Sequence, residues 1–172
     1  MVKKLLAMFT IAMLTFSCSR LETREEKAQD AEFMKHYNSW EIQEMENLIQ
    51  KHIIMEGYTP DVPKYESMLE ERRRAKKELE EIVAHIREEI RVNNLTTLED
   101  YMSSGLRNAA TLRELRRFDF RGFRIYTSKI KYNRSQASNI VALNLGEETF
   151  YFDVNYEYEK KRWTIVDFKE RR

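Results

Sequence analysis

The apolar residues of this chain keep a helical period as far as Phe118 and a period of two after it, and that change of rhythm restricts the fold more than any motif does. A segment whose apolar residues recur every three or four positions buries one stripe, whereas a segment that alternates buries one face of a pleat. Phe33, Tyr37, Trp40, Met45, Leu48, Ile49 and Ile53 predict a first helix over about Ala28 to Glu56. Gly57, Pro60 and Pro63 end it, because glycine suits a left-handed cap and proline has no N–H to continue the ladder. Tyr65, Met68, Ala75, Leu79, Ile82, Ile86 and Ile90 form a second stripe, interrupted only by Arg72, and predict a helix from about Lys64 to Asn93. The short link between them makes an antiparallel hairpin. Thr96-Thr97-Leu98-Glu99 has the form of a capping box, so a third helix starts there, with Ser103-Ser104-Gly105 placed to bend or split it.

Beyond Phe118 the alternation predicts four strands: Phe123 to Tyr132, Ser138 to Leu145, Thr149 to Tyr158 and Trp163 to Phe168. Phe123, Ile125 and Thr127 share one parity, but Ile130 and Tyr132 take the other, which places a β-bulge near Ser128. The links are of hairpin length, so the strands should form a curved antiparallel meander. In the last strand Trp163 and Ile165 lie on one face by parity, and Val166 and Phe168 on the other. A sheet apolar on both faces is covered twice, by helices and by a further helix or a second subunit. The expected class is α+β: a helical hairpin over 32–94, then a third helix with the four-stranded sheet over 95–172.

Helices followed by a four-stranded meander that ends in Trp163-Thr164-Ile165 resemble the NTF2-like (cystatin-like) fold, in particular its small bacterial lipoproteins. The likeness covers about Leu95 to Arg172. It departs from that fold in two respects: Val92 to Leu95 is too short for the strand that usually precedes the last helix, and the long hairpin is an addition. A generic α+β domain carrying a hairpin is the alternative. The resemblance also implies where chemistry could sit, since enzymes of that fold move a proton with an Asp and a Tyr in the cone pocket. Asp167 shares the parity of Trp163 and Ile165, which would turn it toward such a pocket, whereas Asp153 alternates away from Phe150, Phe152 and Val154.

The N-terminus carries an address. Lys3 and Lys4 precede an apolar run from Leu5 to Phe16, then Ser17 and the only cysteine, Cys18. At ~1.5 Å per residue that run spans roughly 18 Å as a helix, short of the ~30 Å hydrocarbon core. The pattern is therefore an export signal over 1–17 rather than a span. Leu14-Thr15-Phe16-Ser17 before Cys18 resembles the signal of a bacterial lipoprotein, which implies acylation of Cys18 and palmitate-type anchoring of the mature chain to a membrane. Ordinary signal-peptidase cleavage, leaving Cys18 a free thiol, is the alternative. Ser19 is compatible with the outer membrane or periplasmic face of the cell envelope. The polar stretch over 18–31 reads as a tether.

Composition removes several function classes. One cysteine makes no internal disulfide or zinc ribbon, and 4 glycines with 2 prolines leave no dinucleotide fingerprint or P-loop. Thirty basic residues against 29 acidic ones give +1, and loss of Lys3 and Lys4 with the signal turns this to −1, so no nucleic-acid partner is expected. His36, His52 and His85 lie in no metal motif; Glu81, His85 and Glu89 share a helical face, which reads as a solvated surface, and no metal or other cofactor is implied. Arg72-Arg73-Arg74 lies among glutamates and reads likewise. Arg113, Arg116, Arg117, Arg121 and Arg124 interleave with Phe118, Phe120 and Phe123, a composition suited either to an anionic surface or to ordinary packing with the phenylalanines in the core.

The resulting expectation is a non-enzymatic, membrane-anchored envelope lipoprotein that binds another envelope protein or a small ligand. The alternatives are self-association or an adhesin-like role of the hairpin through Leu79 and Ile82, and a proton-transfer enzyme using Asp167.

Overall fold

Helix α1, Arg24–Ser39, is closed by a tryptophan rather than a glycine. The computed structural model describes residues 24–171, so the expected export signal, Cys18 and most of the expected tether lie outside the described residues. The chain divides into two units, Met1–Met34 and Lys35–Arg172; the described part of the first is helical. Instead of one helix over Ala28 to Glu56 there are two, because Trp40 takes φ 61°. The Glu41 N–H bonds the His36 carbonyl at 3.0 Å and the Trp40 N–H bonds that of Tyr37 at 3.3 Å. This is the Schellman pattern, with Trp40 where glycine is usual.

Helix α2, Ile42–Glu56, stops at Gly57 (φ 79°) as expected. Helix α3, Val62–Arg91, takes Pro63 into its first turn rather than leaving it in the loop, since a first-turn N–H has no partner within the helix to lose. Met45 and Ile49 of α2 pack with Val62, Tyr65 and Leu69 along the first half of α3. The second half of α3, from Ala75 to Ile90, lies on the sheet. It ends in another Schellman turn at Asn93 (φ 62°).

The third predicted helix is split, as Ser103-Ser104-Gly105 suggested, into α4, Thr96–Tyr101, and α5, Leu106–Leu115. The capping box does not form. The Thr96 N–H bonds Asn94 Oδ1 at 3.0 Å and the Thr97 N–H bonds Glu89 Oε2 at 2.9 Å, so α3 supplies the cap of α4.

The sheet has five strands: β1, Arg124–Thr127; β2, Lys131–Asn133; β3, Gln136–Leu145; β4, Glu148–Glu159; and β5, Arg162–Glu170. All pairs are antiparallel, in the order β1-β3-β4-β5, with β2 also on β3. The predicted first strand is thus two. Ser128 occupies the break: its N–H bonds the Ile140 carbonyl at 2.8 Å and its Oγ accepts the Ile140 N–H at 2.9 Å.

A second irregularity corrects the expectation of two apolar faces. Tyr156 pairs with Ile165 but Asn155 with Asp167, so Val166 is an extra, unpaired residue in β5. Its effect is to return Phe168 to the face of Trp163 and Ile165, and all three are at most 3% exposed. Val166 faces out, 39% exposed. The sheet therefore buries one face, under α3, α4 and α5, and its other face, which carries Tyr126, Tyr151 and Val166 at 39% exposure or more, is covered by no described element. On the covered side Trp163 Nε1–H donates to the Ala75 carbonyl at 2.7 Å, and its ring packs 5.4 Å from Trp40 and 5.1 Å from Tyr158.

Candidate binding groove

Between α5, the turn that follows it and the far end of the sheet lies an open groove of about 990 Å³. Three phenylalanines come from the turn and three from strands. The turn is held from both sides: the Phe120 N–H donates to Asn93 Oδ1 at 3.1 Å, and the Phe123 N–H to the Phe120 carbonyl at 3.0 Å. Arg121 clamps Asp119 through contacts of 2.7 to 3.1 Å, and these bonds hold the Asp119 carboxyl down to about 2. With the backbone fixed in this way, the Phe118 and Phe123 rings lie 6.2 and 5.9 Å from the Phe120 ring.

The opposite wall follows from strand parity. Phe150, Phe152 and Phe168 project from one face of β4 and β5, and the rings of Phe152 and Phe168 lie 5.1 Å apart. The Thr111 hydroxyl reaches the Phe168 carbonyl at 3.4 Å. Asn108, 3% exposed, anchors α5 to the bulge: its amide donates to Ser103 Oγ at 2.8 Å and lies 3.4 Å from the Val166 carbonyl. Phe120 is buried at 2%, whereas Phe118 is 55% and Phe150 38% exposed. A core phenylalanine does not stand half in water, and these two flank an opening that has room for a ligand.

The basic cluster does not converge on the groove. Arg116 pairs with Glu99 at 2.7 Å, Arg117 with Glu114 at 3.0 Å and Arg121 with Asp119 at 2.7 Å. Arg113 and Arg124 are exposed and pair with no described residue. Of the interleaved phenylalanines, Phe120 is core, as ordinary packing requires, while Phe118 is not.

Asp167 does not line the groove either, contrary to its parity. The Val166 bulge turns it to the side of Asn155, where Arg107 stands 3.5 Å away. Asp153 borders the opening instead and pairs with Arg171 at 3.4 Å. No tyrosine lines the groove. Tyr156, whose hydroxyl donates to Asn139 Oδ1 at 3.0 Å, is in the core, and burial pushes that hydroxyl well above its usual value.

Glu89, one of the three residues on the shared helical face, is occupied by the α4 cap and by His85 at 3.3 Å. Among the described residues no group of three or more His, Cys, Asp or Glu is placed to hold a metal ion, and no helix is long and apolar enough to cross a membrane.

Phe150, Phe152, Phe168 and Glu170 are among the groove residues that sequence reasoning did not assign to a site. Their signal was the aromatic alternation Phe150-Phe152 at the start of β4, which reads as core until the partner strand is seen to end beside it.

Fold and site together define an α+β domain with a phenylalanine-walled groove between its last helix and its sheet. Searches against protein-family models, curated proteins and solved structures return no match to the chain.

Proposed function

We propose that this chain is an exported envelope lipoprotein, anchored through Cys18, whose C-terminal part is an NTF2-like domain acting as a non-enzymatic binding module for another envelope protein or a small ligand. The observation that carries the binding role is the groove, where two exposed phenylalanines flank a cavity of ligand size. Anchoring rests on the order of Lys3, Lys4, the apolar run and Cys18. Acyl chains on Cys18 would hold the domain at a membrane surface at ~0.8 kcal/mol per buried CH₂.

Two measurements test the reading. A neutral naphthyl fluorophore should bind the protein with saturation, and Phe118→Asp or Phe150→Asp should abolish binding while far-UV circular dichroism is unchanged; no binding to the parent protein rejects the groove as a site. Mass spectrometry of the full chain made in a bacterium should find an acylated Cys18 at the mature N-terminus, and an unmodified Cys18 there rejects the anchor.

A second reading, self-association through the hairpin, changes address. Leu79 and Ile82 are 0% and 6% exposed, packed beneath the chain's own sheet, whereas Ile54 (81%), Met55 (68%) and Tyr58 (66%) are exposed at the end of α2. Sedimentation should then show an oligomer that Ile54→Glu with Met55→Glu dissociates, and a monomer at all concentrations rejects it.

A further inference from the structure

Most of the charged residues around the groove are answered in pairs. Asp153 has Arg171, Asp167 has Arg107 and Glu114 has Arg117. Lys169 borders the groove too and has no ion pair among the described residues, but it stands across the strands from Asp153, on the face opposite the phenylalanines. Glu170 is different. It is directly opposite Phe152 in the register, so it shares the inner face with Phe150, Phe152 and Phe168. It is exposed, it lines the groove, and it pairs with no described residue.

An apolar cavity with one unanswered carboxylate at its edge selects the sign of its ligand. Moving an anionic head group beside Glu170 sets like charges together, whereas a cationic one gains an ion pair in surroundings that the phenylalanines partly dry. The half-exposed rings of Phe118 and Phe150 add to the same preference, since an aromatic face attracts a cation.

Building on the binding role proposed above, we infer that the groove takes a monocationic amphiphile, an alkyl or aryl group bearing one ammonium, with the apolar part between the phenylalanine walls and the ammonium at Glu170. A chain of ten or so carbons fits easily within about 990 Å³.

The test displaces the neutral naphthyl fluorophore from the protein with three ligands of one chain length, each below its micelle concentration: decyltrimethylammonium, decyl maltoside and decyl sulfate. The cation should displace roughly 10-fold more tightly than the neutral ligand, and the sulfate least well. Glu170→Gln should remove the cation's advantage and leave decyl maltoside unchanged, and Glu170→Lys should reverse the order. Equal displacement by all three ligands, a preference for the sulfate, or an advantage that survives Glu170→Gln overturns the assignment while leaving the groove a binding site. A fluorophore that does not bind the parent protein overturns both.

Discussion

Arg72 shows how far a single residue can depart from its sequence neighbours. It sits in the run Arg72-Arg73-Arg74, yet it alone is buried, at 9% exposure. Its guanidinium lies 3.8 Å from the Tyr37 ring centroid and 4.4 Å from that of Trp40, and its Nε–H donates to the Tyr37 carbonyl at 3.2 Å. Desolvated cation–π contact of about 2 kcal/mol and a hydrogen bond of about 1 kcal/mol together predict that Arg72→Ala costs about 3 kcal/mol in urea unfolding. Arg72→Met, which keeps the stem, should lose about half as much, and Arg74→Ala on the exposed side should change stability little. Helical phase already placed Arg72 in the buried stripe; the charge of the run argued the opposite, and the aromatic partners that decide the matter lie over thirty residues away. Glu89 was misread for the same reason, because its role as the cap of α4 depends on where Thr97 falls. Burial pushes the Glu89 carboxyl up, but the Thr97 N–H, the Thr97 hydroxyl and His85 outweigh it and hold the group below its usual 4.5. A depressed carboxyl stabilises the fold above its unfolded value, and that stabilisation is lost as pH falls through the folded one. Thermal midpoints should therefore drop between about pH 5 and pH 3 more steeply in the parent than in Glu89→Gln.

At the scale of elements, helices and strands were legible, and so were some of their interruptions but not all. Sequence periodicity located the α2–α3 hairpin, the split at Ser103-Ser104-Gly105 and the phase shift near Ser128, because each is written in local spacing. The break at Trp40 left no such mark. A tryptophan in the left-handed region costs about 1 kcal/mol or more of backbone strain, offset here by an indole 4% exposed against Trp163, Tyr158 and Tyr132. The bulge at Val166 was hidden too, since period-two counting assumes an unbroken pleat; that one residue reversed the assigned faces of Phe168 and Asp167. Strain of the Trp40 kind recurs in the β4–β5 hairpin, whose two loop residues, Lys160 and Lys161, have φ 50° and 62°. Two positive values in a two-residue loop are the type I′ geometry, which Asn-Gly adopts with less strain. Replacing Lys160 by Asn together with Lys161 by Gly should raise unfolding stability by about 1 kcal/mol. No gain would mean that the lysines make contacts which offset their strain.

For the molecule as a whole, the question is whether hairpin and sheet stand or fall together. One buried cluster joins Trp40 and the second half of α3 to Leu98, Leu115, Val154, Trp163, Ile165 and Phe168. Nothing in the order of elements required this; the landing of Trp163 on Ala75 ties the second half of α3 to the sheet, while Met45, Ile49, Val62, Tyr65 and Leu69, where α2 packs on the first half of α3, are buried outside that cluster. The groove was illegible for a related reason. It exists where the cluster stops: Phe150 pairs with Leu143 on β3, while β5 has reached only Phe152 at Glu170, so the inner face there is left partly uncovered. Helix α3 runs unbroken through both sets of buried residues, so helical ellipticity at 222 nm and tryptophan fluorescence should report coincident unfolding curves. Trp163→Phe separates this from two independent parts. It removes the hydrogen bond to Ala75 and some ring area, about 2 kcal/mol together, and should lower the thermal midpoint by about 6 °C. With one transition both probes shift by that amount. With two, the fluorescence of Trp40, the tryptophan that remains, would move while ellipticity, dominated by α2 and α3, stayed in place, and that result would refute the coupling.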